Sequence, residues 1–309
     1  STIQKILEKA FSDTDAVRLV SIEKDDYKKE LFSLYKDNII DQYYGLKIQY
    51  LYPFISGKDF TYIPSPYLVV NAVTESMLNR VTFRDNKLRR AIGKEVIESY
   101  LYNIVRQLDT VTWISPELLY KKGKDKLLTS DVIAAEGDNV IFYDTKAITP
   151  SLKLRKFDVA EIEADIEIYA EDVIQIYNQI NNYLQGCFQL DKQYLKDKIF
   201  GIVVVLEDAV VSRKKVYEKV YEILEKTETL DTEEKNYICS HIKVLPLRAI
   251  ECMILQNTSL LPELIEQLSK PERWYDYTYT NATIENGKIP LYSKYEKDLK
   301  SRIKNRIMG

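Results

Sequence analysis

In the segment Val140-Ile141-Phe142-Tyr143-Asp144-Thr145-Lys146-Ala147, a carboxylate and an ammonium group stand two residues apart in an otherwise apolar run. Side chains alternate across a strand, so Asp144 and Lys146 face the same way, ~7 Å apart along the chain. Burying either charge alone is costly, and an apolar strand that carries both needs a reason. Twelve residues separate Asp144 from Asp131, which starts a second β-like run, Asp131 to Ala135. Glu136-Gly137-Asp138-Asn139 joins the two runs as a turn, and the resulting hairpin brings the Asp131 carboxylate beside Asp144. Two carboxylates can hold Mg²⁺ and make its bound water more acidic. A neighbouring ammonium can orient or deprotonate an attacking water and neutralise phosphate charge. Those are the requirements of phosphodiester hydrolysis, and none of them calls for histidine.

The rest of the composition narrows the alternatives. His241 is the one histidine in 309 residues, so two-histidine zinc sites cannot be built and a His-dependent triad has a single candidate. No Gly-rich phosphate loop or nucleophile elbow is present. Lys plus Arg total 44 against 47 Asp plus Glu, a net charge of -3, which neither advertises nor excludes nucleic-acid binding because local clusters decide phosphate contact. Cys187, Cys239 and Cys252 have no CxxC spacing and read as free thiols. No stretch approaches the ~20 apolar residues of a membrane span, and no signal-peptide pattern opens the chain, so a cytoplasmic protein is expected. Tyrosine is abundant, 24 against 9 phenylalanines; stacking on bases and ordinary half-buried packing both use it.

Several elements must position the three residues. Residues 87–108 read as an amphipathic helix with Ile92, Val96, Ile97, Leu101, Ile104, Val105 and Leu108 on its apolar face. A strand is expected over Thr110 to Ile114. Lys153 to Ala170 turns from basic to acidic and reads as a loop or solvated helix, and a second amphipathic helix is expected over Asp172 to Phe188. Ile199 to Leu206 is an unbroken apolar run, the mark of a strand buried on both faces. A helix from Arg213 to Lys226 and a strand at Ile242 to Leu245 follow, with further helices after Pro246 and at Leu260 to Leu268. The expected fold class is α/β, a mixed central sheet flanked by helices. Residues 1–85 read as a separate helical and mixed region, and residues 86–309 as the domain carrying the chemistry with a C-terminal extension.

Ser130-Asp131, twelve further residues and Asp144-Thr145-Lys146 resemble the PD-(D/E)xK nuclease superfamily of restriction-type and RecB-type enzymes. The resemblance covers about 115 residues. It implies a restriction-endonuclease-like core of order α-β-β-β-α-β, a Mg²⁺- or Mn²⁺-dependent nuclease, and a nucleic-acid substrate, DNA before RNA. It also implies that Asp131 and Asp144 ligate the metal and that Lys146 acts on water. The family's helix before the hairpin carries a glutamate near Gly-x-x-apolar-Glu; in Gly93-Lys94-Glu95-Val96-Ile97-Glu98 that place falls to Glu98, a third metal ligand. At ~100° per residue Glu98 lies nearer the apolar face than Glu95. Gln179 and Tyr183 match the Gln-x-x-x-Tyr element of RecB-type members, which sets Gln179 near the metal. Ser130 replaces the usual proline, and Asp144 the commoner glutamate. Such modules serve anti-phage defence or DNA processing, which implies a homodimer or a protein partner and no membrane.

Asp-x-Lys spacing itself is common here: Asp26-Lys28, Asp85-Lys87, Glu233-Lys235 and Asp298-Lys300 share it in polar segments. Context singles out Asp144-Lys146. A partly buried ion pair would also account for them, as would a nuclease fold kept as a binding scaffold without catalysis. Lys121-Lys122-Gly123-Lys124-Asp125-Lys126 is a basic loop that could meet phosphates. Trp274, Tyr275, Tyr277 and Tyr279 could stack bases or pack a strand; Lys297, Lys300, Arg302, Lys304 and Arg306 read as a solvated helix face, and His241 as structural.

Overall fold

Val140, Phe142 and the residues opposite them cannot face water, and the fold is built around that constraint. The computed structural model describes residues 21–35, 52–58, 61–63, 69, 86–147, 159–206, 211–226, 229–247 and 250–251. The segments 3–11, 260–268, 274–279 and 297–306 lie outside the described residues. The chain divides into two compact units, residues 1–89 with 149–161 and residues 90–148 with 162–309. In the first, β1 (Ser21–Glu23) pairs in parallel with β2 (Phe54–Ser56), which pairs antiparallel with β3 (Thr61–Tyr62), and α1 (Lys24–Tyr35) follows β1.

The second unit holds the sheet. α2 (Asn86–Ile92), which begins in the first unit, runs through a π-helical turn (Gly93–Glu98) into α3 (Ser99–Val105). β4 (Val111–Pro116), the small hairpin β5 (Leu119–Lys122) and β6 (Asp125–Leu128), then β7 (Val132–Glu136) and β8 (Asn139–Lys146) follow. After α4 (Val159–Leu184) come β9 (Ile199–Val205), α5 (Arg213–Leu224), α6 (Thr232–His241) and β10 (Ile242–Pro246). The strand order is β10-β9-β8-β7-β4, with β7 antiparallel to β4 and β8 and the other pairs parallel. This is the α/β mixed sheet flanked by helices that the sequence implies, and from α3 to β9 its order is α-β-β-β-α-β once the β5–β6 insertion is set aside.

Strand alternation splits the core into two layers. Ile133, Ala135, Val140, Phe142 and Val203 pack under α4, α5 and α6; Val132, Ala134, Ile141, Tyr143 and Ile202 pack under α3. All of β9 is buried, as an unbroken apolar run requires. α4 lies tightly on β9 because Gly201 has no side chain: a Cβ there would stand 2.3 Å from Ile176 Cγ2.

The structure departs from expectation in two helices, one loop and one turn. The apolar face over 87–108 is not continuous, because an i→i+5 turn accommodates one more residue than an α-turn; the phase slips and Val96 is 57% exposed. The second helix does not begin at Asp172. It is one 26-residue helix from Val159, and Ile166, Tyr169 and Ala170 are buried within the stretch whose charges suggested a solvated segment. Residues 121–126 are not a loop but a two-stranded hairpin turning at Gly123, whose φ of 62° suits glycine. The β7–β8 turn is tighter than four residues, since Glu136 pairs with Asn139 and only Gly137 (φ 57°) and Asp138 intervene.

Candidate active site

β8 carries the centre of the site. Its register sets Val132 opposite Tyr143, so Asp131 enters the hairpin level with Asp144 at the open end of the sheet. Asp131 Oδ2 accepts hydrogen bonds from Thr145 N and Thr145 Oγ1, both 2.6 Å, which tie the two strand ends together. Asp144, 3% exposed, extends towards α4, and Lys146 Nζ lies 2.8 Å from its Oδ2. Burial pushes the Asp144 carboxyl up to about 6, against the pull of Lys146 and with a further push from Asp131.

Lys146 has a second set of partners that sequence reasoning did not find. Its Nζ lies 3.3 Å from Asp172 Oδ1 and donates to Gln175 Oε1 at 2.8 Å, both on α4. Asp172 is 9% exposed, and its Oδ2 is buried without a hydrogen bond. Burial pushes the Asp172 carboxyl up to about 6 although Lys146 opposes it. Desolvation draws the Lys146 ammonium down, but Asp144 and Asp172 together outweigh it and hold its pKa above the usual lysine value. The signal was present in the sequence: Asp172, Gln175 and Gln179, at spacings of three and four, share one face of a helix whose buried positions are otherwise apolar or tyrosine apart from Asn182.

Glu98 reaches the same end of the sheet from the opposite layer. The π turn beside β8 exposes Glu95 and half-buries Glu98; Gly93 in that turn comes close to Ala147, with 3.5 Å between an added Cβ and the alanine Cβ. The Glu98 carboxyl is pushed up to about 7, by burial first, then by Asp131, Glu117 and Asp144, with Lys94 opposing. Asp131, Asp144 and Glu98 therefore share one electrostatic environment. Gln179 is placed differently from the three acids. It is 6% exposed and its Oε1 accepts from Ser130 Oγ, so it braces the residue before Asp131. Tyr183 is a core residue whose hydroxyl donates to Lys192 O at 3.2 Å and accepts from Tyr194 N at 2.9 Å. His241 stacks on Phe200 and Tyr237, with centroids 4.8 and 4.4 Å away, a packing role.

The donor set is all oxygen, which suits a hard divalent cation. Among the described residues no three His, Cys, Asp or Glu side chains gather closely enough to hold one ion. Mg²⁺ does not need three: it is commonly held by one or two carboxylates, with waters and phosphate oxygens completing its shell. Burial raises Glu98 and Asp144 first, and the further push that each receives from Asp131 is what a cation at this end of the sheet would relieve.

No protein-family model and no curated protein matches this chain. Among solved structures, the small subunit of the heterodimeric restriction endonuclease R.BspD6I is similar with a TM-score of 0.30 and 8% identity, over 68% of this chain and 94% of that one. No helix among the described residues is long and apolar enough to cross a membrane.

Proposed function

We propose that the chain is a divalent-metal-dependent nuclease that hydrolyses phosphodiester bonds in DNA. The observation that supports this best is that Asp131 and Asp144 both act electrostatically on Glu98 at one sheet end, with the ammonium of Lys146 2.8 Å from Asp144. In this reading Asp131 and Asp144 hold Mg²⁺ or Mn²⁺, and Glu98 ligates it directly or through water. The bound cation would supply an acidified water and charge neutralisation at the phosphate. Lys146 orients that water and meets the phosphate charge. Thr145 fixes the Asp131 carboxylate, Gln179 fixes Ser130 beside it, and Asp172 with Gln175 sets the position of the lysine.

A second reading has its own observation. Lys146 neutralises Asp144 at 2.8 Å, and a charge pair of that kind can also serve a nuclease fold that binds without cutting. Labelled single- and double-stranded DNA and RNA, incubated with Mg²⁺, Mn²⁺ or EDTA, separate the two. Metal-dependent cutting that disappears in both Asp144→Ala and Lys146→Ala supports the nuclease. Cutting that survives Asp144→Ala overturns the site, and binding by the wild type without cutting in any metal favours the scaffold.

A further inference from the structure

The two faces of the β5–β6 hairpin are used differently. Directly opposed residues share a face, so the register puts Tyr120, Leu127, Lys122 and Asp125 on one side and Leu119, Leu128, Lys121 and Lys126 on the other. The first side is anchored. Tyr120 is buried with its ring 4.8 Å from that of Phe188, and its hydroxyl accepts from Asn182 Nδ2 at 2.8 Å. Lys122 Nζ donates to Asn182 Oδ1 at 2.7 Å. At the base, Leu118 N donates to Thr129 Oγ1 at 2.8 Å and Thr129 N to Leu118 O at 2.9 Å. The hairpin thus springs, held at its root, from the sheet end where Asp131 precedes β7.

The second side faces solvent. Leu119 is 66% and Leu128 47% exposed, Lys121 and Lys126 are exposed opposite one another, and Lys124 is exposed in the turn. None of the three lysines has an ion-pair partner among the described residues. Like charges directly opposed across two strands repel, and the one carboxylate of the hairpin, Asp125, lies on the opposite face, where it does not neutralise the Lys121–Lys126 pair. An anion carrying several charges would. Asp131 follows Lys126 with four residues between them, at most ~17 Å of chain. One nucleic-acid strand places a phosphate every ~3.4 Å of helix axis, so Lys126 and Asp131 lie within about five phosphates of each other.

We propose that the outward face of this hairpin docks the sugar–phosphate backbone of nucleic acid, with Lys121, Lys124 and Lys126 on phosphates and Leu119 and Leu128 against the sugars. The identity of the polymer rests on the nuclease reading; the anionic character of the partner rests on the hairpin alone.

The test is binding without cutting. Affinity of the wild-type protein for a labelled DNA duplex and for the single strand is measured in EDTA across a salt series, beside the triple variant Lys121→Ala, Lys124→Ala, Lys126→Ala. Three lost phosphate contacts should reduce the slope of log affinity against log salt by about 2.7 on duplex, or about 2.1 on single strand. Thermal unfolding of the variant should be no lower than that of the wild type, because the changes remove repulsion and no anchor. An unchanged slope, or no wild-type binding to either DNA form, overturns the proposal. So does lysine-dependent binding to phosphatidylserine vesicles in place of DNA, which would assign the face to a membrane surface. Lysine-dependent binding with no metal-dependent cutting would sink the nuclease reading and keep the hairpin; cutting with lysine-independent binding would do the reverse.

Discussion

Asp172 and Lys146 stand 3.3 Å apart across the gap between α4 and the end of β8, and the same ammonium is 2.8 Å from Asp144. One cation thus serves two buried carboxylates, of which only Asp144 lies on the strand that faces Asp131. Asp172 is a positioning residue in this arrangement: with Gln175 it holds the Lys146 ammonium between α4 and the end of β8.

Asp172→Asn should therefore lower kcat about 10–100-fold, the usual effect of removing a partner that orients a site residue, with KM changed far less. Stability should move the other way. The Asp172 carboxyl sits at about 6 in the folded protein against 3.8 normally, so its ionisation disfavours folding at pH 8, and asparagine removes that ionisation. Single-turnover cleavage and thermal unfolding at pH 8 check the pair of outcomes. A variant that loses stability and activity together would mark Asp172 as a purely structural residue.

Glu98 and Asp144, together with Asp172, make the metal-free protein less stable as pH rises through their range. The first two carboxyls are raised, to about 7 and about 6, from ordinary values of 4.5 and 3.8. For a carboxyl raised in the folded state, stability is fully present below the unfolded value and is lost as pH rises through the folded one. In EDTA, Tm should fall between pH 4 and pH 7.5. Mg²⁺ should restore more of it at pH 8 than at pH 5.5, since ligands bind deprotonated. Cleavage should rise with pH through about 7, and Glu98→Gln should flatten both profiles. A Tm that is the same with and without Mg²⁺ at pH 8 would argue against a cation at this site.

How much of this was legible in the chain depends on which force placed each residue. The β7–β8 hairpin could be read because strand alternation and the Gly137-Asp138 turn are local features. Glu98 could be singled out by helical phase, but the π turn that half-buries it could not, because the turn depends on packing beside Ala147. Asp172 was hidden for a different reason. The acidic run before it looks solvated, yet Ile166, Tyr169 and Ala170 pin that stretch of α4 to the sheet, a tertiary contact with no local signature beyond its spacing. The β5–β6 hairpin was hidden by its lysines, poor strand formers held in pairing by Tyr120 and Asn182.

The approach of α4 to the sheet is itself testable at Gly201. A methyl group there meets Ile176 Cγ2 at 2.3 Å, and that atom is fixed at a branched carbon inside a helix. Gly201→Ala should destabilise the fold by about 1–3 kcal/mol, the usual effect of overpacking. Ile176 is one turn from Asp172, so the same change should disturb the Asp172–Lys146 pair and reduce cleavage. Adding Ile176→Val leaves a branched carbon in place and should restore little; Ile176→Ala removes the clashing atom and should recover both stability and cleavage in part. Denaturant unfolding of the single and double variants measures the coupling.

Lys243 tests the far side of the sheet, away from the chemistry. It is fully buried on β10, where its Nζ donates to Cys239 O, and desolvation with the charge of Arg213 lowers its pKa to about 7. Below pH 7 the folded state must hold a buried cation that the unfolded chain carries freely, so this residue disfavours folding there. The penalty lessens as pH rises from 7 towards 10.5, where the unfolded lysine also loses its proton. Lys243→Met keeps the length of the side chain and removes the charge. It should raise Tm most at pH 6 and progressively less towards pH 10, while leaving nucleic-acid cleavage at pH 8 unaltered. Thermal unfolding across that range measures the trend, and a Tm gain that is flat with pH would show that the lysine keeps its proton in the folded state.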